Sequence, residues 1–433
     1  MNSLKYFHTH EQLEKIYLKH IYHSFAIGTD NISHNTFNKN LHNEIEIIYR
    51  KLNNRTYKFT RYKLNLLNKG RQKYPREIYI PTIRDRIVLK TIHLFLQDYY
   101  SLHIENKLPQ VIIKDIATSI KDYDSYIKID IKNFYPSINH NKLFLILKEN
   151  IECEYTLEMI KKSLQPPKNE IIGGIPQGLA ISNILANIFL ISIDKNLKNT
   201  KNIKYFRYVD DILVLCNYSN IEELKAKINT LFKELLLEIH PISKNSKSKV
   251  GSIALNKFDY LGYSFENGKI SVRNSTINNL HTSIIQCFTK YKYSKNKNIE
   301  FLIFQLNLKI TGCIDDGKAK GWLFFFSQIN NLTILKKLDF FIKHTWEKFG
   351  IEPNYFLYIK SFSKAYFEIR YNFKNSTYFY NFDNFNLAQK IKILEEIFNT
   401  STNGMFESEI NDLFRIKTKG QINKLLIDLK NFS

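Results

Sequence analysis

The sequence predicts an α+β fold in which helices cover one face of a small, mainly antiparallel sheet. Three observations predict it: short segments alternate apolar and polar residues, longer segments space apolar residues three and four apart, and Gly/Pro-containing loops separate them. Along the middle of the chain the order is strand, helix, loop and helix, strand pair, helix, strand. With 433 residues, the chain is long enough for several subdomains.

The first hundred residues have mostly helical patterns. Within them, REIYIP alternates as a short strand that ends at Pro81. The segment that follows, PTIRDRIVLKTIHLFLQDYY, has apolar residues on one helical face. That face consists of Val88, Ile92, Phe95, Leu96 and Tyr99.

The segment YIKIDI has period two and predicts a strand that Pro136 closes. One face carries three isoleucines and the other carries polar residues: Ile127, Ile129 and Ile131 against Lys128, Asp130 and Lys132. A helix is expected over HNKLFLILKEN. The glycine-rich stretch before about Ser182 predicts a loop that leads into a buried helix.

Further along, IEELKAKINTLFKELLLEI (221–239) predicts one amphipathic helix, and KFDYLGYSF (257–265) predicts one strand. Beyond about residue 270 the chain is helical and rich in aromatic residues. Its last segments predict a separate small helical domain. The aromatic residues there are more typical of a core, and base stacking or a priming tyrosine is the alternative.

Two adjacent carboxylates interrupt the apolar segment RYVDDILVLC (207–216). Asp210 and Asp211 are best placed at the tip of a hairpin, because successive residues within a strand would point to opposite faces. Asp130, near the end of the earlier strand, is the natural third carboxylate. An exposed Asp-Asp pair is usually a solvated turn, but apolar flanks on both sides favour a functional site.

Three carboxylates packed together repel one another unless a divalent cation neutralises them. Oxygen ligands favour Mg²⁺, with Mn²⁺ as the alternative. Two such ions, about 3.5–4 Å apart, would clamp the attacking and leaving oxygens of an in-line displacement. The pattern therefore predicts phosphoryl or nucleotidyl transfer.

The formal net charge of +22 predicts an acidic polymer, with nucleic acid the first candidate, as the partner. A lysine-rich background composition is the alternative explanation. Arginine favours a real basic patch, since seven of the eleven arginines lie between positions 50 and 86. They are Arg50, Arg55, Arg61, Arg71, Arg76, Arg84 and Arg86.

The four cysteines are far apart and have no C-x-x-C spacing, which indicates neither a zinc site nor a disulfide framework. No apolar run approaches the roughly 18 residues of a membrane span, and the first residues do not resemble a signal peptide. We therefore expect a cytoplasmic protein with no membrane partner.

Five segments together resemble the reverse transcriptases in order and spacing, and they cover about residues 76–265. They are REIYIPTIRDR, KIDIKNFYPSI, GIPQGLAISNILAN, RYVDD and YLGYSF. The resemblance implies a right-hand polymerase with an antiparallel palm. It also implies that Asp130 and Asp210 are metal ligands, with Asp211 supporting and the backbone carbonyl of Ile131 completing the shell.

The resemblance also implies a nucleotide site. Tyr135 matches the aromatic steric gate that favours dNTPs over NTPs, whereas Phe134 is more typical of a core residue. Gln177 matches the glutamine beside the nucleotide sugar and base, and Gly174 and Gly178 match the glycines that let backbone approach the incoming base pair.

The family's triphosphate site also contains basic residues, and for some of them this sequence offers more than one candidate. Arg76 corresponds to the fingers arginine, and Lys73 or Arg71 is the expected second cation. Lys247 resembles the palm lysine proposed to protonate pyrophosphate, and Lys244 and Lys249 are the alternatives for that role.

By the same resemblance the chain divides into five domains. They are an N-terminal helical extension (1–49), fingers (50–127), palm (128–265), a thumb-like helical region (266–345) and a C-terminal helical domain (346–433). There is no second carboxylate constellation of the kind an RNase H domain needs. Asp315-Asp316, in a glycine-rich loop, is expected to be a solvated turn.

The chain departs from the common Ser-Pro form of the family's PQG motif. It has Ser182-Asn183 followed by Leu185-Ala186-Asn187, which resembles the bacterial abortive-infection and unknown-group defence reverse transcriptases. The segments LNLKITGC (306–313) and GWLFFFSQIN (321–330) add to this resemblance. It implies a role in phage defence.

The partners so implied are an RNA template, a DNA product and dNTPs. A dedicated noncoding RNA, a second reverse-transcriptase subunit or a homo-oligomer, and protein priming are further options. Two alternatives use the same fold differently: a template-independent nucleotide transferase, and a catalytically silent RNA-binding scaffold.

Overall fold

The computed structural model describes residues 4–22, 24, 26–68, 74–105, 107–166, 173–243, 246–427 and 429. Up to residue 166 the helices and strands are α1 (His10–Ile16), α2 (His34–Lys39), α3 (Leu41–Asn53), β1 (Lys63–Leu67), β2 (Arg76–Ile80), α4 (Ile83–Tyr99), α5 (Pro109–Ser119), β3 (Ser125–Ile129), α6 (Phe134–Ser137), α7 (His140–Lys148) and α8 (Glu154–Leu164).

From residue 173 to residue 272 they are α9 (Ser182–Phe189), α10 (Ile191–Lys198), β4 (Ile203–Tyr208), β5 (Asp211–Cys216), α11 (Ile221–Glu234), β6 (Lys249–Ser252), β7 (Phe258–Tyr260), β8 (Tyr263–Glu266) and β9 (Lys269–Val272). After that they are α12 (Asn274–Tyr293), α13 (Ile299–Thr311), β10 (Cys313–Asp315), β11 (Lys318–Lys320), α14 (Trp322–Phe325), α15 (Thr333–Lys348), α16 (Phe362–Tyr371), β12 (Tyr380–Asn381), α17 (Leu387–Lys392) and α18 (Glu407–Ile427).

These elements confirm the predicted α+β class. The chain forms two compact units, and each contains segments that are distant in sequence. The first unit comprises residues 1–106 and 126–250, and the second comprises 107–125 and 251–433. The boundaries expected for fingers, palm, thumb and C-terminal domain are finer than this division and stay predictions.

The first unit is built around a four-stranded sheet with the order β4-β5-β3-β6. Its middle strands are buried because their residues are mostly apolar, and Ile127 and Ile129 of β3 are fully buried. The apolar helix α9 packs against α4, α7 and α10, as expected for the helix that follows the glycine-rich loop. A separate hairpin of β1 and β2 is antiparallel and ends before Pro81.

The predicted helix over 221–239 is too long. Helix α11 ends at Glu234, and Leu236 takes a left-handed backbone conformation with φ of 56°. Ile239 then pairs with Ile131 in an isolated antiparallel bridge. Apolar periodicity alone does not reveal this pairing with a distant segment, which ends the helix early. Pro241 also disfavours helical conformation in the residue before it.

The single strand predicted over 257–265 is also wrong. Leu261 and Gly262, with φ of 48° and 77°, form a two-residue turn between β7 and β8. Positive φ at both positions is typical of hairpin turns that match strand twist. With β9, these strands form an antiparallel sheet of the second unit.

The remainder of the second unit is mostly helical, but β10, β11 and β12 form a three-stranded sheet, so the expectation of helix alone beyond about residue 270 is wrong there. This part includes a core shared by α13 and the C-terminal segments. Phe379 and Phe382 of the aromatic tail are buried, as expected for core residues, whereas Tyr358 and Tyr371 are exposed. Asp315 pairs with Lys320 in the β10–β11 hairpin, and the exposed Asp316 lies at its turn. None of the described helices has the length and apolar character needed to cross a membrane.

Truncation of Ile228, a fully buried residue of α11, tests the importance of the first unit's core. We expect Ile228→Ala to lower the free energy of unfolding by about 2–5 kcal/mol because it leaves a cavity. Glu234→Ala, at an exposed position at the end of the same helix, is the control and should change stability little. Urea denaturation followed by circular dichroism measures both; equal losses would contradict the expectation.

Candidate active site

The acid pair lies at a tight hairpin turn, as predicted. Strands β4 and β5 pair with Tyr208 opposite Asp211, so Val209 and Asp210 form the two-residue loop. Val209 has φ of 57°, a conformation that is strained for a β-branched residue. Such strain persists only where surrounding contacts hold it, and here they include the core against which Val209 packs and a hydrogen bond from Arg207.

The side chain of Arg207 links the turn to two helices. Its guanidinium donates to the carbonyl of Val209 at 2.9 Å and to the side-chain oxygen of Asn187 at 2.7 Å. The same group makes a two-nitrogen ion pair with Asp194 of α10, which also accepts from the Tyr205 hydroxyl at 2.7 Å. The turn is thereby tied to α9 and α10 through fixed side-chain geometry.

The Arg207–Asp194 ion pair is largely removed from water, with side chains 9% and 11% exposed. Burial acts against the charge of Arg207, yet hydrogen bonds to Asp194 and the nearby Tyr205 and Asp194 raise its pKa above the ordinary value. The guanidinium therefore stays charged, and its removal would leave the Asp194 carboxylate buried.

Asp130 is positioned by backbone contacts immediately after β3. Its amide donates to the hydroxyl of the fully buried Ser248 at 2.9 Å, and its carbonyl accepts from the amide of His240 at 3.0 Å. The ring of His240 also lies 3.4 Å from a carboxylate oxygen of Asp130. These contacts join the end of β3 to the chain that follows α11.

Ile131 is the residue in the bridge with Ile239. The bonds that flank this bridge use the amide of Lys132, which donates to the carbonyl of Glu238, and the carbonyl of Asp130. Neither bond uses the carbonyl of Ile131. The arrangement is therefore compatible with the ligand role that the sequence implies for this carbonyl.

Asp210 lies in the electrostatic field of three other residues of the site. Burial raises the pKa of its carboxyl above the ordinary value, and the negative charge of Asp130 raises it further. The positive charges of Arg76 and Arg207 oppose this rise. The structure thus brings Asp130, Asp210 and Arg76 together from three separate segments of the chain.

The donor set suits a hard divalent cation. Asp130 and Asp210 are close enough to repel, and a cation between them would relieve the repulsion. Asp211 begins the adjacent strand, and all the predicted ligands offer oxygen, which suits Mg²⁺ or Mn²⁺. Within the described ranges, no three carboxylate, histidine or cysteine side chains already form a metal-ligating group.

Tyr135 belongs to the short helix α6 and lies near Asp210 and Arg76, which come from other segments. Burial raises the pKa of its hydroxyl, as does the charge of Asp210, whereas Arg76 lowers it. The hydroxyl donates to the side chain of Asn183 at 2.5 Å, which fixes the ring against the start of α9. Phe134 is buried, which confirms its expected place in the core.

The glycine-rich loop is held against the chain's own backbone. The carbonyl of Gln177 accepts from the amide of Tyr79 in β2 at 2.8 Å. A Cβ on Gly178 would lie 2.7 Å from the carbonyl oxygen of Tyr79, and one on Gly174 would lie 2.5 Å from Cα of Pro136. Glycine is therefore required at both positions for protein packing, and the predicted approach to a base pair stays a prediction.

The structure gives less information about the other basic residues predicted for the site. Lys73, Arg71 and Lys244 lie outside the described residues. Lys247 is exposed, next to the buried Ser248, and Lys249 is exposed at the start of β6. The role expected of Lys247 stays a prediction.

Among the described arginines of the arginine-rich region, three contact other residues of the protein. Arg84 forms an ion pair with Glu44, and Arg86 donates to Ser24 at 3.0 Å and to the carbonyl of Ala26. Arg55 lies over the ring of Tyr155, 5.5 Å from its centroid. By contrast, Arg76 is exposed and acts on Asp210.

Sequence reasoning missed four residues that support the site: Asn187, Asp194, Arg207 and Ser248. Asn187 and Asp194 lie in the apolar helix-forming region, where a polar residue is an available signal that a partner is needed, and Asp194 is buried there. Arg207 precedes the acid pair in the strand, and its alternation pattern is equally consistent with a solvent-facing position. Ser248 carries no recognisable signal.

The segment that contains this site is similar to known proteins. Residues 66–265, just under half of the chain, match the family described as reverse transcriptase (RNA-dependent DNA polymerase). The match covers the hairpin turn, the strand before Asp130, the glycine-rich loop and β2.

Among curated relatives, the uncharacterized 91 kDa protein in the cob intron of Schizosaccharomyces pombe is 26% identical over 238 residues, which are 51% of this chain and 29% of that protein. The retron Ec73 reverse transcriptase of Escherichia coli is 31% identical over 126 residues, 27% of this chain and 39% of that enzyme. The chain thus spans well under half of either relative.

Among solved structures, telomerase from Candida albicans in complex with the TWJ fragment of telomeric RNA aligns over 89% of this chain and 66% of that chain. The sequence identity is 13% and the TM-score is 0.43.

The buried ion pair behind the turn gives a stability test. Arg207→Met should lower the free energy of unfolding by about 3–5 kcal/mol, because it leaves the Asp194 carboxylate buried and unpaired. The double variant Arg207→Met, Asp194→Leu should recover much of this loss, since neither charge then remains. Chemical denaturation of both variants provides the measurement.

Lys204→Met is the matched control, because Lys204 is an exposed residue of the same strand. It should change stability by less than about 0.5 kcal/mol. A double variant as unstable as Arg207→Met alone would show that the ion pair is not the cause of the loss.

Proposed function

We propose that this protein is an RNA-directed DNA polymerase that adds dNTPs to a primer 3′-hydroxyl by nucleotidyl transfer. The observation that supports it is the convergence of Asp130, Asp210, Arg76 and Tyr135 within a reverse transcriptase domain. Three segments of the chain contribute these residues, and further segments contribute the residues that support them. Such convergence suits the binding of a triphosphate, a cation and a sugar at one place.

Asp130 and Asp210 would hold the divalent ions, with Asp211 supporting them and the Ile131 carbonyl completing the shell. The chemistry that two bound Mg²⁺ ions supply is activation of the primer hydroxyl and neutralisation of the charge on the leaving pyrophosphate. The protein itself has to hold two carboxylates that repel each other in place before the metal ions bind. The Arg207 contacts and the Ser248 hydroxyl provide this rigidity.

The surrounding residues would select and orient the nucleotide. Arg76 is exposed at the start of β2, where its guanidinium would contact phosphate oxygens. The ring of Tyr135, fixed by Asn183, would occupy the space of a ribose 2′-hydroxyl. Gln177, whose backbone carbonyl accepts from the amide of Tyr79, would line the sugar and base, as its place in the PQG motif implies.

For its biological role, we propose phage defence in a bacterial cytoplasm, with an RNA template that is a dedicated noncoding RNA or a cellular transcript. The motif variant Leu185-Ala186-Asn187 supports this role, as does the similarity to a retron reverse transcriptase. The structure gives Asn187 of that variant a definite task, because its side chain accepts from Arg207.

The activity is tested on the full chain, purified with the RNA that it retains and supplied with dNTPs and Mg²⁺. We expect DNA whose sequence matches the retained RNA and whose synthesis stops after RNase treatment. Asp210→Asn should abolish it, since the substitution removes a ligand charge with little change in shape. Sequencing of the product identifies the template.

Other products would refute the templated reaction. Homopolymeric DNA made after complete RNA removal would indicate a template-independent transferase. An inactive wild-type chain that still retains RNA would indicate a scaffold. Lys204→Met, far from the acids on an exposed face of β4, should keep full activity and serves as the control.

The selection of sugar is tested at Tyr135. Tyr135→Val should increase incorporation of rNTPs relative to dNTPs by roughly tenfold or more, because the ring no longer blocks a 2′-hydroxyl. Tyr135→Phe retains the ring and should keep dNTP preference, despite losing the bond to Asn183. Single-nucleotide incorporation with matched rNTP and dNTP measures the ratio, and equal ratios in the two variants would exclude the gate.

The defence role has its own test. Bacteria that express the chain with its native flanking DNA should reduce phage plating, and the Asp210→Asn variant should not. Protection by the inactive variant would separate defence from DNA synthesis.

A further inference from the structure

A pocket of about 210 Å³ lies in the second unit, between the end of α12 and the segment that follows α15. The last turn of α12 and the loop after it form one wall, and the end of α15 with the short helix Pro353–Tyr358 forms the other. The residues that give the pocket its chemistry are Tyr291, Lys292, Lys297, Phe349, Glu352 and Tyr355. Aromatic rings, two ammonium groups and one carboxylate therefore meet in one small space.

Hydrogen bonds fix the wall that follows α15. The indole N–H of the buried Trp346 donates to the backbone carbonyl of Glu352 at 3.3 Å, and the amide of Tyr355 donates to the same carbonyl at 3.3 Å. The amide of Gly350, which has φ of 65°, donates to the carbonyl of Glu347 at 3.0 Å. The backbone that carries Glu352 and Tyr355 is thus held in one conformation.

The aromatic residues of the pocket differ in what they already contact. Phe349 packs against Phe288 with ring centroids 5.3 Å apart, and the ammonium of Lys292 lies 5.8 Å from the Phe349 centroid. Tyr291 and Tyr355, by contrast, make no contact with another aromatic ring within the described ranges. Phe349 is therefore committed to protein packing, whereas the two tyrosine rings can stack on a planar ligand.

The carboxylate of the pocket is close to the tyrosine hydroxyls but not paired with a lysine. Burial raises the pKa of the Tyr291 hydroxyl, and the nearby Tyr355 and Glu352 raise it further. In the part of the chain that the structure describes, Glu352 forms no ion pair with Lys292 or Lys297. The Glu352 carboxylate can therefore accept hydrogen bonds from a ligand.

Guanine matches a carboxylate beside uncommitted aromatic rings. Its Watson–Crick edge places the N1 and N2 donors side by side, and a carboxylate accepts such paired donors together, as it does from arginine. Adenine and cytosine have a ring-nitrogen lone pair next to their amino group, and uracil has a single donor between two carbonyls. Each of these bases would offer Glu352 at most one hydrogen bond.

The two lysines favour a nucleotide over a cationic ligand. An arginine side chain also presents paired donors, but the ammonium groups of Lys292 and Lys297 would repel it. A phosphate joined to the base would instead be attracted, and both lysines are exposed, where a phosphate outside the pocket could reach them. At about 210 Å³ the pocket is below the usual range of roughly 300–1,000 Å³ for drug-sized ligands, which favours entry of the base alone.

We propose that this pocket binds one unpaired guanine nucleotide. The base stacks on Tyr291 or Tyr355, its paired donors bind Glu352, and its phosphate lies near Lys292 and Lys297. The nucleotide is either part of a single-stranded nucleic acid or free guanosine monophosphate. The pocket belongs to the second unit and the proposed polymerase residues belong to the first, so this inference does not rest on DNA synthesis.

The test uses the full-length chain, freed of retained RNA by high salt and then assayed in EDTA without dNTPs. Fluorescence anisotropy compares labelled oligouridylates of one length that differ only in the central residue, which is guanosine, inosine, adenosine or uridine. We expect the guanosine form to bind at least about fivefold more tightly than the uridine form, because its base adds stacking and paired hydrogen bonds. Inosine lacks the N2 amino group and should lose most of this preference.

Variants assign the preference to the pocket. Glu352→Gln should abolish it, because the amide offers one acceptor where the carboxylate offers two. Tyr355→Leu should reduce it, whereas Tyr355→Phe keeps the ring and should retain it. Glu347→Gln, an exposed residue of α15 outside the pocket, makes the same charge change as Glu352→Gln and should behave as wild type does. Circular dichroism checks that each variant is folded.

Calorimetric titration with guanosine monophosphate distinguishes the two sources of the ligand. An oligonucleotide preference that only Glu352→Gln removes supports the proposal with a nucleic-acid strand as ligand. Binding of guanosine monophosphate that only Glu352→Gln weakens supports it with the free nucleotide as ligand. If Glu352→Gln and Glu347→Gln behave alike toward both ligands, the proposal is overturned. Neither measurement involves DNA synthesis, so such a failure would leave the proposed polymerase function untouched.

Discussion

The buried ion pair between Arg207 and Asp194 is the interaction on which the candidate active site depends. It places a positive charge directly behind a turn that presents carboxylates, and it holds the strained backbone of Val209. A hydrophobic pair would fill the same space, yet it would not bond the Val209 carbonyl. The geometry of the turn is therefore fixed by electrostatics in a region from which water is excluded.

The two carboxylates of the candidate site form a local negative charge on a chain that is positively charged overall. The whole chain carries a net charge of +22, but Asp130 and Asp210 concentrate negative charge at one place. A polyanion would be attracted to the chain over long distances and would meet local repulsion at the carboxylates. Arg76 at the edge of the site moderates that repulsion, and a divalent cation would reverse it.

Sequence reasoning located the acids because carboxylates in apolar flanks are conspicuous, and it recovered β2, β3, α4, α7 and the β4–β5 hairpin from local periodicity. It failed where distant segments decide the outcome. Ile239 leaves the predicted helix to pair with Ile131, more than a hundred positions away. Arg207 looked like an ordinary strand residue because nothing local reveals Asp194 or Asn187 as its partners. Periodicity describes one element at a time, whereas these contacts join two or three.

The packing of Gly178 and Gln177 against β2 has a consequence for how the domain is divided. The loop expected to contact the nucleotide is completed by a strand that precedes it by about a hundred residues. A fragment that begins after α4 would therefore keep all three acids and still lack one wall of the loop. Truncation or recombination upstream of residue 100 would therefore remove the backbone contacts of Tyr79 with Gln177 and Gly178 and leave all three acids untouched.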